Sequence, residues 1–260
     1  MKLPDEGDSE RIEKSDFYDG YWNCKFSASK YGEFRYLPTV RFQSIRELLP
    51  KSFVTALDIG CGDGTTLRLL ERETGVRGEG VDVSLTAVER AIALGVSASV
   101  HDADSPFSFE DSSFDLIICS EVLEHLKYPH ICIAEMKRIL KLDGVIIISI
   151  PNLGFIKRRL RLLVGRNPFD SYEYHLSEHL HHWTNRSFRA IMVDFGFDVD
   201  KMLPIRTTGL KNSMVSIWPA LFSDYLFYLI RKKSTRRTKL RCSMRDAIDE
   251  ELSELKNLRV

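Results

Sequence analysis

LDIGCGDGTTLRLL, residues 57–70, is the stretch of sequence that decides the fold. An apolar run ends in the acid Asp58, glycines then follow at positions 60, 62 and 64, and a helix-like segment begins. Glycines permit a tight turn and let a ligand approach the backbone, and the free N–H groups of the following helix favour an anionic group. About twenty residues later, Asp82 ends a second apolar run, where a carboxylate suits ribose hydroxyls. The pattern predicts a ligand-binding strand–turn–helix unit, and the alternative is a purely structural turn.

Strand-like and helix-like runs alternate along the rest of the chain. The predicted strands cover residues 54–59, 80–83, 96–100, 114–120, 145–150, 197–205 and 225–230, and the predicted helices cover 65–73, 85–94, 131–140, 153–164 and 187–195. Apolar strands that alternate with helices predict an α/β fold, in which a parallel sheet has helices on both faces. Residues 166–183 read as a loop rich in aromatic residues and histidine.

Composition excludes several classes of protein. Lysine plus arginine equals aspartate plus glutamate, 37 each in 260 residues, so net charge favours neither nucleic acid nor an anionic membrane. The five cysteines form no CxxC pair, which argues against a disulfide scaffold and favours a reducing compartment. The first residues lack the apolar core of a signal peptide, and the apolar run 218–230 is too short to span a bilayer. We expect a cytoplasmic protein without a transmembrane segment.

Three motifs carry a resemblance to a known family. LDIGCGDG at 57–64, GVDVS at 80–84 and HDADSPFSFEDSSFDLIICSEVLEHL at 101–126 resemble the cofactor-binding motifs of class I S-adenosylmethionine-dependent methyltransferases. The resemblance covers roughly residues 30–232. It implies a Rossmann-like, mostly parallel sheet of seven strands, and S-adenosyl-L-methionine as cofactor.

The resemblance also implies where the cofactor binds, which is outside the carboxyl ends of the strands. The first two glycines of the loop would lie against its methionine part. Asp58 would orient its amino group, Asp82 would hold its ribose hydroxyls, and Asp102 with Ala103 would border its adenine. The predicted cofactor-binding residues are Arg41, Asp58, Gly60, Cys61, Gly62, Gly64, Asp82, Val83, Asp102, Ala103 and Ser120.

The prediction for Arg41 rests on the segment YGEFRYLPTVRFQSI, residues 31–45. The segment resembles the entry helix of the ubiquinone-biosynthesis O-methyltransferases, in which an arginine at the position of Arg41 reaches the cofactor. A guanidinium suits the carboxylate of the cofactor. The alternative is a surface arginine on a helix.

EVLEH, residues 121–125, follows the fourth predicted strand. If this segment turns helical, Glu121, Glu124 and His125 share one face. ExxEH resembles a divalent-metal motif of the ubiquinone-type O-methyltransferases and of the small-RNA 3′-end 2′-O-methyltransferases, which use a further histidine downstream. In EHLHHWT, residues 178–184, His179 precedes Trp183 by four residues, as in the RNA-modifying enzymes.

Two carboxylates and two imidazoles form the predicted divalent-metal site, and they suit magnesium, manganese, iron or zinc. The predicted ligands are Glu121, Glu124, His125 and His179, of which His125 and His179 are also the predicted catalytic residues. One alternative is a general base drawn from His125, His179, His181 and His182. Another is that the protein only aligns the acceptor and supplies no base. In that case Glu124 and His125 only cap a helix and form hydrogen bonds with the loop.

The segment SIPNLGFIKRRLRLLVGRNPF, residues 149–169, resembles that of polysaccharide-cluster and methionine-biosynthesis-type methyltransferases. Its cations could face a phosphate, a nucleotide-sugar, an anionic lipid or RNA, or could form a solvated helix face. The cations are Lys157, Arg158, Arg159, Arg161 and Arg166.

Three functions follow from the sequence. The first is methyl transfer to a hydroxyl of a small molecule or glycan, with a divalent metal as a possible aid. The second is RNA 2′-O-methylation. The lack of an RNA-binding module motif in the sequence argues against it. The third is a non-catalytic cofactor-binding regulator. Residues 1–50 are predicted to form a cap or lid rich in aromatic residues, 51–232 the methyltransferase domain, and 233–260 a charged helical tail.

Overall fold

The computed structural model describes residues 14–23, 36–168, 179–205 and 217–233. In the second range, side chains are described from residue 41 onward. The predicted charged tail, apart from residue 233, and most of the histidine-rich loop lie outside these residues. The helices are α1 (14–23), α2 (Tyr36–Leu48), α3 (Thr65–Thr74), α4 (Leu85–Ala93), α5 (Pro129–Ile139), α6 (Ile156–Leu163), α7 (Asn185–Asp194) and α8 (Pro219–Phe222). The strands are β1 (Ala56–Ile59), β2 (Glu79–Asp82), β3 (Ser97–Val100), β4 (Phe114–Ser120), β5 (Leu140–Pro151), β6 (Phe197–Ile205) and β7 (Tyr225–Lys232).

The strands form one seven-stranded sheet in the order β3-β2-β1-β4-β5-β7-β6. The pairs from β3 to β5 are parallel, whereas β7 runs antiparallel to both of its neighbours. The prediction of a mostly parallel, Rossmann-like α/β sheet is therefore confirmed. In such a sheet the carboxyl ends of β1, β2, β4 and β5 meet along one edge, which is where the order of strands places a ligand.

Two hydrophobic layers cover the sheet. In β4, Ile117 and Cys119 face one layer while Leu116 and Ile118 face the other, so the strand is buried on both sides, as a central parallel strand must be. Residues of α5 and α7 fill the first layer, and residues of α2, α3 and α4 fill the second. From α2 the contributors are Phe42, Ile45 and Leu48.

The boundary between α5 and β5 differs from the prediction. The helix ends at Ile139 and the strand begins at Leu140, whereas we expected a helix to residue 140 and a strand from residue 145. Gly144 therefore lies inside a strand. A Cβ at that position would lie 2.8 Å from Cδ1 of Leu140 and 3.0 Å from the carbonyl oxygen of Asp115, so the glycine serves close strand packing.

No helix in the described residues is both long enough and apolar enough to cross a bilayer.

Candidate active site

The glycine loop joins β1 to α3 through three residues with left-handed backbone conformation. Gly60, Gly62 and Gly64 have φ of 71°, 55° and 75°. The N–H groups of Gly60 and Cys61 donate to the carbonyl oxygen of Val81 at 2.8 and 3.0 Å, which ties the turn to β2. Because a Cβ at Gly60 would lie 2.4 Å from Cγ2 of Val122, both the backbone angle and the space require glycine at the first position.

Asp82 ends β2 beside this loop and is 8% exposed. Its Oδ2 accepts a hydrogen bond from the N–H of Gly62 at 2.9 Å, and its Oδ1 accepts one from the N–H of Ser84 at 2.9 Å. A carboxylate oxygen can accept more than one hydrogen bond, so these contacts fix the orientation of the group and leave it able to receive a diol. Asp82 as a ligand of ribose hydroxyls stays a prediction.

Asp58 is 3% exposed and lies close enough to Asp82 for the two charges to interact. Burial, and then the charge of Asp82, raise the pKa of the Asp58 carboxyl well above its usual range. A cation bound between these strand ends would relieve the repulsion. The pair therefore suits a ligand that carries an amino group.

Cys61 is buried within the same loop, in surroundings that disfavour its thiolate form. Burial, and then the charges of Asp58 and Asp82, raise the pKa of its thiol. Because the thiolate is the reactive form, a thiol that stays protonated is inert.

Helix α1 lies over the predicted cofactor-binding loops. Nζ of Lys14 is 2.6 Å from Oδ1 of Asp102 and 2.6 Å from Oδ2 of Asp104, in the segment after β3 that the sequence assigned to adenine. Although burial lowers the pKa of Lys14, Asp102 and Asp104 raise it, and the net effect is a raised pKa that keeps the ammonium charged. The hydroxyl of Ser15 donates to the carbonyl oxygen of Val83 at 3.2 Å.

The other end of α1 contacts the next two loops. Oδ1 of Asp19 accepts hydrogen bonds from the N–H of Thr86, at 2.9 Å, and from the hydroxyl of Ser84, the N-cap residue of α4. The ring of Trp22 lies 2.5 Å from where a Cβ at Gly62 would stand. The sequence pointed to the aromatic residues of this segment, but Lys14 and Asp19 gave no signal because their partners lie 65 to 90 residues away.

EVLEH does not form the single helical face that the spacing allowed. Glu121 has a φ of 57°, and only Leu123–His125 forms a short 3₁₀ turn, so the three side chains do not share a helical face, although the carboxyl groups of Glu121 and Glu124 still interact. Its Oε1 accepts a hydrogen bond from the hydroxyl of Ser149 at 2.7 Å, and its Oε2 is 3.9 Å from Nη2 of Arg41. Burial raises the pKa of Glu121, while Arg41 and Ser149 act in the opposite direction.

Ser149 joins the two strand ends at this point. Its hydroxyl lies 2.8 Å from that of Ser120, a predicted cofactor-pocket residue, and it is fully buried. Sequence reasoning missed Ser149, although a hydroxyl within the apolar strand VIIISIP was a signal that a buried polar partner exists.

Three of the four predicted metal ligands lie together. Glu124, His125 and His179 each offer a ligand atom, and these atoms lie within 4.8 Å of one another; the group does not include Glu121. The carboxylate of Glu124 is fully buried, and within the described residues neither of its oxygens has a hydrogen-bond partner. Burial, and then the charge of Glu121, raise the pKa of Glu124 well above its usual range.

The backbone of Glu124 positions the histidine-rich segment. Its carbonyl oxygen accepts hydrogen bonds from the N–H groups of Leu180, at 2.7 Å, and His181, at 3.1 Å. The rings of His125 and His179 therefore meet with centroids 4.8 Å apart. Burial, Arg158 and then His181 lower the pKa of the neighbouring His182, so its imidazole is neutral at neutral pH and able to accept a proton.

The buried member of the basic segment has a structural role. Arg158 is 9% exposed; its Nη2 is 2.6 Å from Oδ1 of Asp224, and its Nη1 donates to the carbonyl oxygen of Asn152 at 2.7 Å. The side chain of Asn152 donates to the carbonyl oxygens of Ala220 and Ser223 at 2.7 and 2.8 Å. These contacts fasten the start of α6 to α8 and β7, so Arg158 is not available to an acceptor.

The chain is similar to known methyltransferases in sequence and in fold. The family model described as methionine biosynthesis protein MetW matches residues 40–230. The ubiquinone biosynthesis O-methyltransferase of Coxiella burnetii is 28% identical over 165 residues, which are 61% of this chain and 68% of that protein. The 2-methyl-6-phytyl-1,4-hydroquinone methyltransferase of Synechocystis is 33% identical over 100 residues, 36% of this chain and less than a third of that protein.

Among solved structures, a methyltransferase of Haloferax volcanii in complex with the Trm112 methyltransferase activator has a TM-score of 0.64 to this chain. The match covers 86% of this chain and 99% of that one at 21% identity. At this identity the likeness is one of fold.

Proposed function

Because the chain belongs to the MetW family and is a class I S-adenosylmethionine-dependent methyltransferase, we propose that it methylates a hydroxyl of a small molecule or glycan. The observation that carries this proposal is the group Glu124, His125 and His179, which lies at the end of β4 beside the glycine loop. A hydroxyl has a high pKa, so its methylation calls for a group that takes or displaces its proton. The Coxiella relative is by name an O-methyltransferase, which supports the same choice.

The proposed cofactor site uses the acids at the ends of β1 and β2. Asp58 pairs with the amino group of the cofactor, and Asp82 accepts from its ribose hydroxyls while the glycine loop lets the methionine part approach the backbone. When bound, the cofactor supplies a methyl group that is already activated. The chain then has to align the acceptor oxygen and exclude water. We assign the second task to α1, which acts as a lid fastened by Lys14 and Asp19.

The proposed proton-handling group is the cluster at the end of β4. A fully buried carboxylate without a hydrogen bond is costly, so Glu124 is either protonated or matched by a cation. One oxygen and two imidazole ligands fit manganese, iron or zinc. When bound, such an ion would act as a Lewis acid that lowers the pKa of the acceptor hydroxyl. Glu121, also predicted as a ligand, is held by Ser149 at the border of the group.

The experiment uses methyl-labelled S-adenosylmethionine with an extract of the source organism, separated into small metabolites, lipids, glycans and RNA. We expect label in the metabolite or glycan fraction, with loss of label after chelation and recovery when a divalent ion is added. Label confined to RNA would overturn the acceptor assignment. Label that survives thorough metal stripping would overturn the metal assignment and return Glu124 and the histidines to acid–base work.

Variants of the two carboxylates separate binding from chemistry. Glu124→Gln should reduce methyl transfer by about tenfold or more, while cofactor affinity, measured by calorimetry, stays within about twofold. Asp82→Ala should instead lose cofactor binding. The matched control is Glu110→Gln, which changes an exposed carboxylate in the loop before β4 and should alter neither quantity.

A further inference from the structure

Helix α6 has an unusual orientation for a helix of a globular protein. An amphipathic helix normally buries its apolar stripe and exposes its charges. In α6 the only buried side chain is that of Arg158. Leu160 is 53% exposed and Leu163 is 81% exposed. The helix is therefore fastened to the molecule by a charge and presents leucine to the solvent.

Helical geometry places most of this exposed apolar surface opposite Arg158, although Leu162, 51% exposed, lies on the Arg158 side. At 100° per residue, Ile156, Leu160 and Leu163 lie within about 60° of one another on one face, and Arg158 lies on the opposite face. Lys157 and Arg159, both exposed, flank the apolar stripe on either side. The stripe continues past the end of the helix in Val164, which is 67% exposed.

A second apolar segment lies at the same end of the molecule. Ile217 and Trp218, 69% and 62% exposed, come directly before α8. Through the bonds of Asn152 and Arg158 described above, α8 packs against the start of α6. Exposed apolar side chains gathered at one end of a molecule mark an interaction surface.

The charge around the stripe indicates the partner. Residues 152–168 contain five cations and no acid. Arg158 is neutralised by Asp224, and Arg161 lies on the Arg158 side of the helix, where it donates to the carbonyl oxygen of Asn167. This leaves Lys157 and Arg159 as the positive fringe of the apolar stripe, with Arg166 beyond the end of the helix. Apolar side chains ringed by cations, with a tryptophan near the edge, are complementary to the boundary between acyl chains and anionic headgroups. A surface that only had to stay hydrated would not need the leucines, and a nucleic-acid site would not need them either.

We infer that the exposed face of α6, together with Ile217 and Trp218, docks on the surface of an anionic lipid bilayer. The helix has eight residues and lies in the interface without spanning it. One such element gives weak and reversible association. The docked face follows the carboxyl end of β5, so the membrane would lie beside the edge of the sheet where the active site is placed. The inference does not depend on which acceptor is methylated.

The test is co-sedimentation of the full chain with vesicles, made either of phosphatidylcholine alone or of phosphatidylcholine with about a third phosphatidylglycerol. We expect binding to the anionic vesicles that weakens as salt is raised. Leu160→Glu with Leu163→Glu should weaken binding by about tenfold for each leucine, because each loses burial in the apolar boundary. Lys157→Gln with Arg159→Gln should weaken it about thirtyfold in total, since each basic residue near an anionic surface contributes about a factor of five.

The control is Leu142→Glu, which changes a leucine that is 71% exposed near the start of β5, far along the strand from α6. It should bind vesicles as the wild type does. Thermal melting and cofactor binding should stay unchanged in all variants, because the substituted side chains are exposed. Equal sedimentation with neutral vesicles, or binding that the leucine and charge variants leave intact, would overturn the inference. A dimer that the leucine variant dissociates, without vesicle binding, would assign the face to a second copy of the chain.

Discussion

Replacing Asp58 with asparagine should stabilise the cofactor-free protein at neutral pH, although it removes a residue of the proposed cofactor site. The pKa of Asp58 is raised in the folded state by burial and by the charge of Asp82. Below about pH 4 the carboxyl is protonated in both the folded and the unfolded chain, so it carries no penalty. As pH rises toward the folded-state pKa, the unfolded chain loses its proton first, and the free energy of unfolding falls.

The size of the effect follows from the environment of the group. A buried carboxylate beside a second carboxylate costs about 1–3 kcal/mol relative to a neutral isostere. Asp58→Asn removes this cost, and for a chain of this length about 2 kcal/mol corresponds to a rise in Tm of about 4–8 °C at pH 8. At pH 4 the variant and the wild type should melt at nearly the same temperature. A saturating concentration of S-adenosylmethionine should raise the Tm of the wild type more than that of the variant.

Asp115 provides a control with the opposite sign. Partial burial works against ionisation, but the N–H of Thr55, the ammonium of Lys141 and the N–H of Val54 hold the pKa of Asp115 at about 2. Its contribution to stability is present above about pH 4 and is lost as pH falls through 2. Asp115→Asn should therefore cost about 1–2 kcal/mol at pH 7, after a discount for the partial exposure of the side chain. If Asp58→Asn lowers the Tm at pH 8, or shifts it equally at pH 4 and pH 8, the repulsion between Asp58 and Asp82 is refuted, whereas Asp115→Asn should lower the Tm by nearly the same amount at both pH values.

Three further variants test the loop, the lid and the cluster. Gly60→Ala should destabilise the protein by about 1–3 kcal/mol in chemical denaturation, because its φ is positive and its Cβ would overlap Val122, and adding Val122→Ala should restore part of the loss. Lys14→Ala should speed amide hydrogen exchange in residues 14–23 by at least tenfold, and unchanged exchange would contradict the lid contacts. His179→Ala should abolish the stabilisation by divalent ions that calorimetry is expected to detect in the wild type, whereas His130→Ala, on α5, should retain it.

The sheet could be predicted from the sequence because its strands are continuous apolar runs punctuated by glycine and acids. All seven predicted strands occur in the structure. The error at residues 140–144 arose because a glycine after a helical pattern is read as a break. In the structure Gly144 is needed within a strand, where the side chain of Leu140 and the backbone of Asp115 come too close for a Cβ. Such a contact is set by the neighbouring strand and leaves no trace in the local pattern.

The meeting of Asp58 and Asp82 was predictable for the same reason as the sheet. Asp58 and Asp82 end parallel strands, and topology alone brings the ends of parallel strands together. For the cluster of Glu124, His125 and His179, the sequence predicted which residues lie together but not how they are arranged. Spacing placed Glu121 with Glu124 on a helical face, whereas the left-handed conformation of Glu121 breaks that face, and the two carboxyl groups interact without sharing it. The partner that decides the orientation of Glu121 is Ser149, on another strand, and a single sequence does not state which hydroxyl a given carboxylate will meet.

The two glutamates of EVLEH show why a chain gathers acids at the end of a central strand. Glu121 is largely buried and has partners, since it accepts a hydrogen bond from Ser149 and lies near the guanidinium of Arg41. Glu124, three residues later, is fully buried, faces two imidazoles and, within the described residues, accepts no hydrogen bond from a donor group. The two carboxyl groups interact, and the charge of Glu121 adds to the effect of burial in raising the pKa of Glu124. The strained backbone at Glu121 sets this arrangement, and strain of this kind persists where a site requires it. Glu121 is anchored by Ser149 and Arg41, while Glu124 is left in need of a proton or a cation, which is the condition that our proposal requires of a group that handles the proton of a hydroxyl.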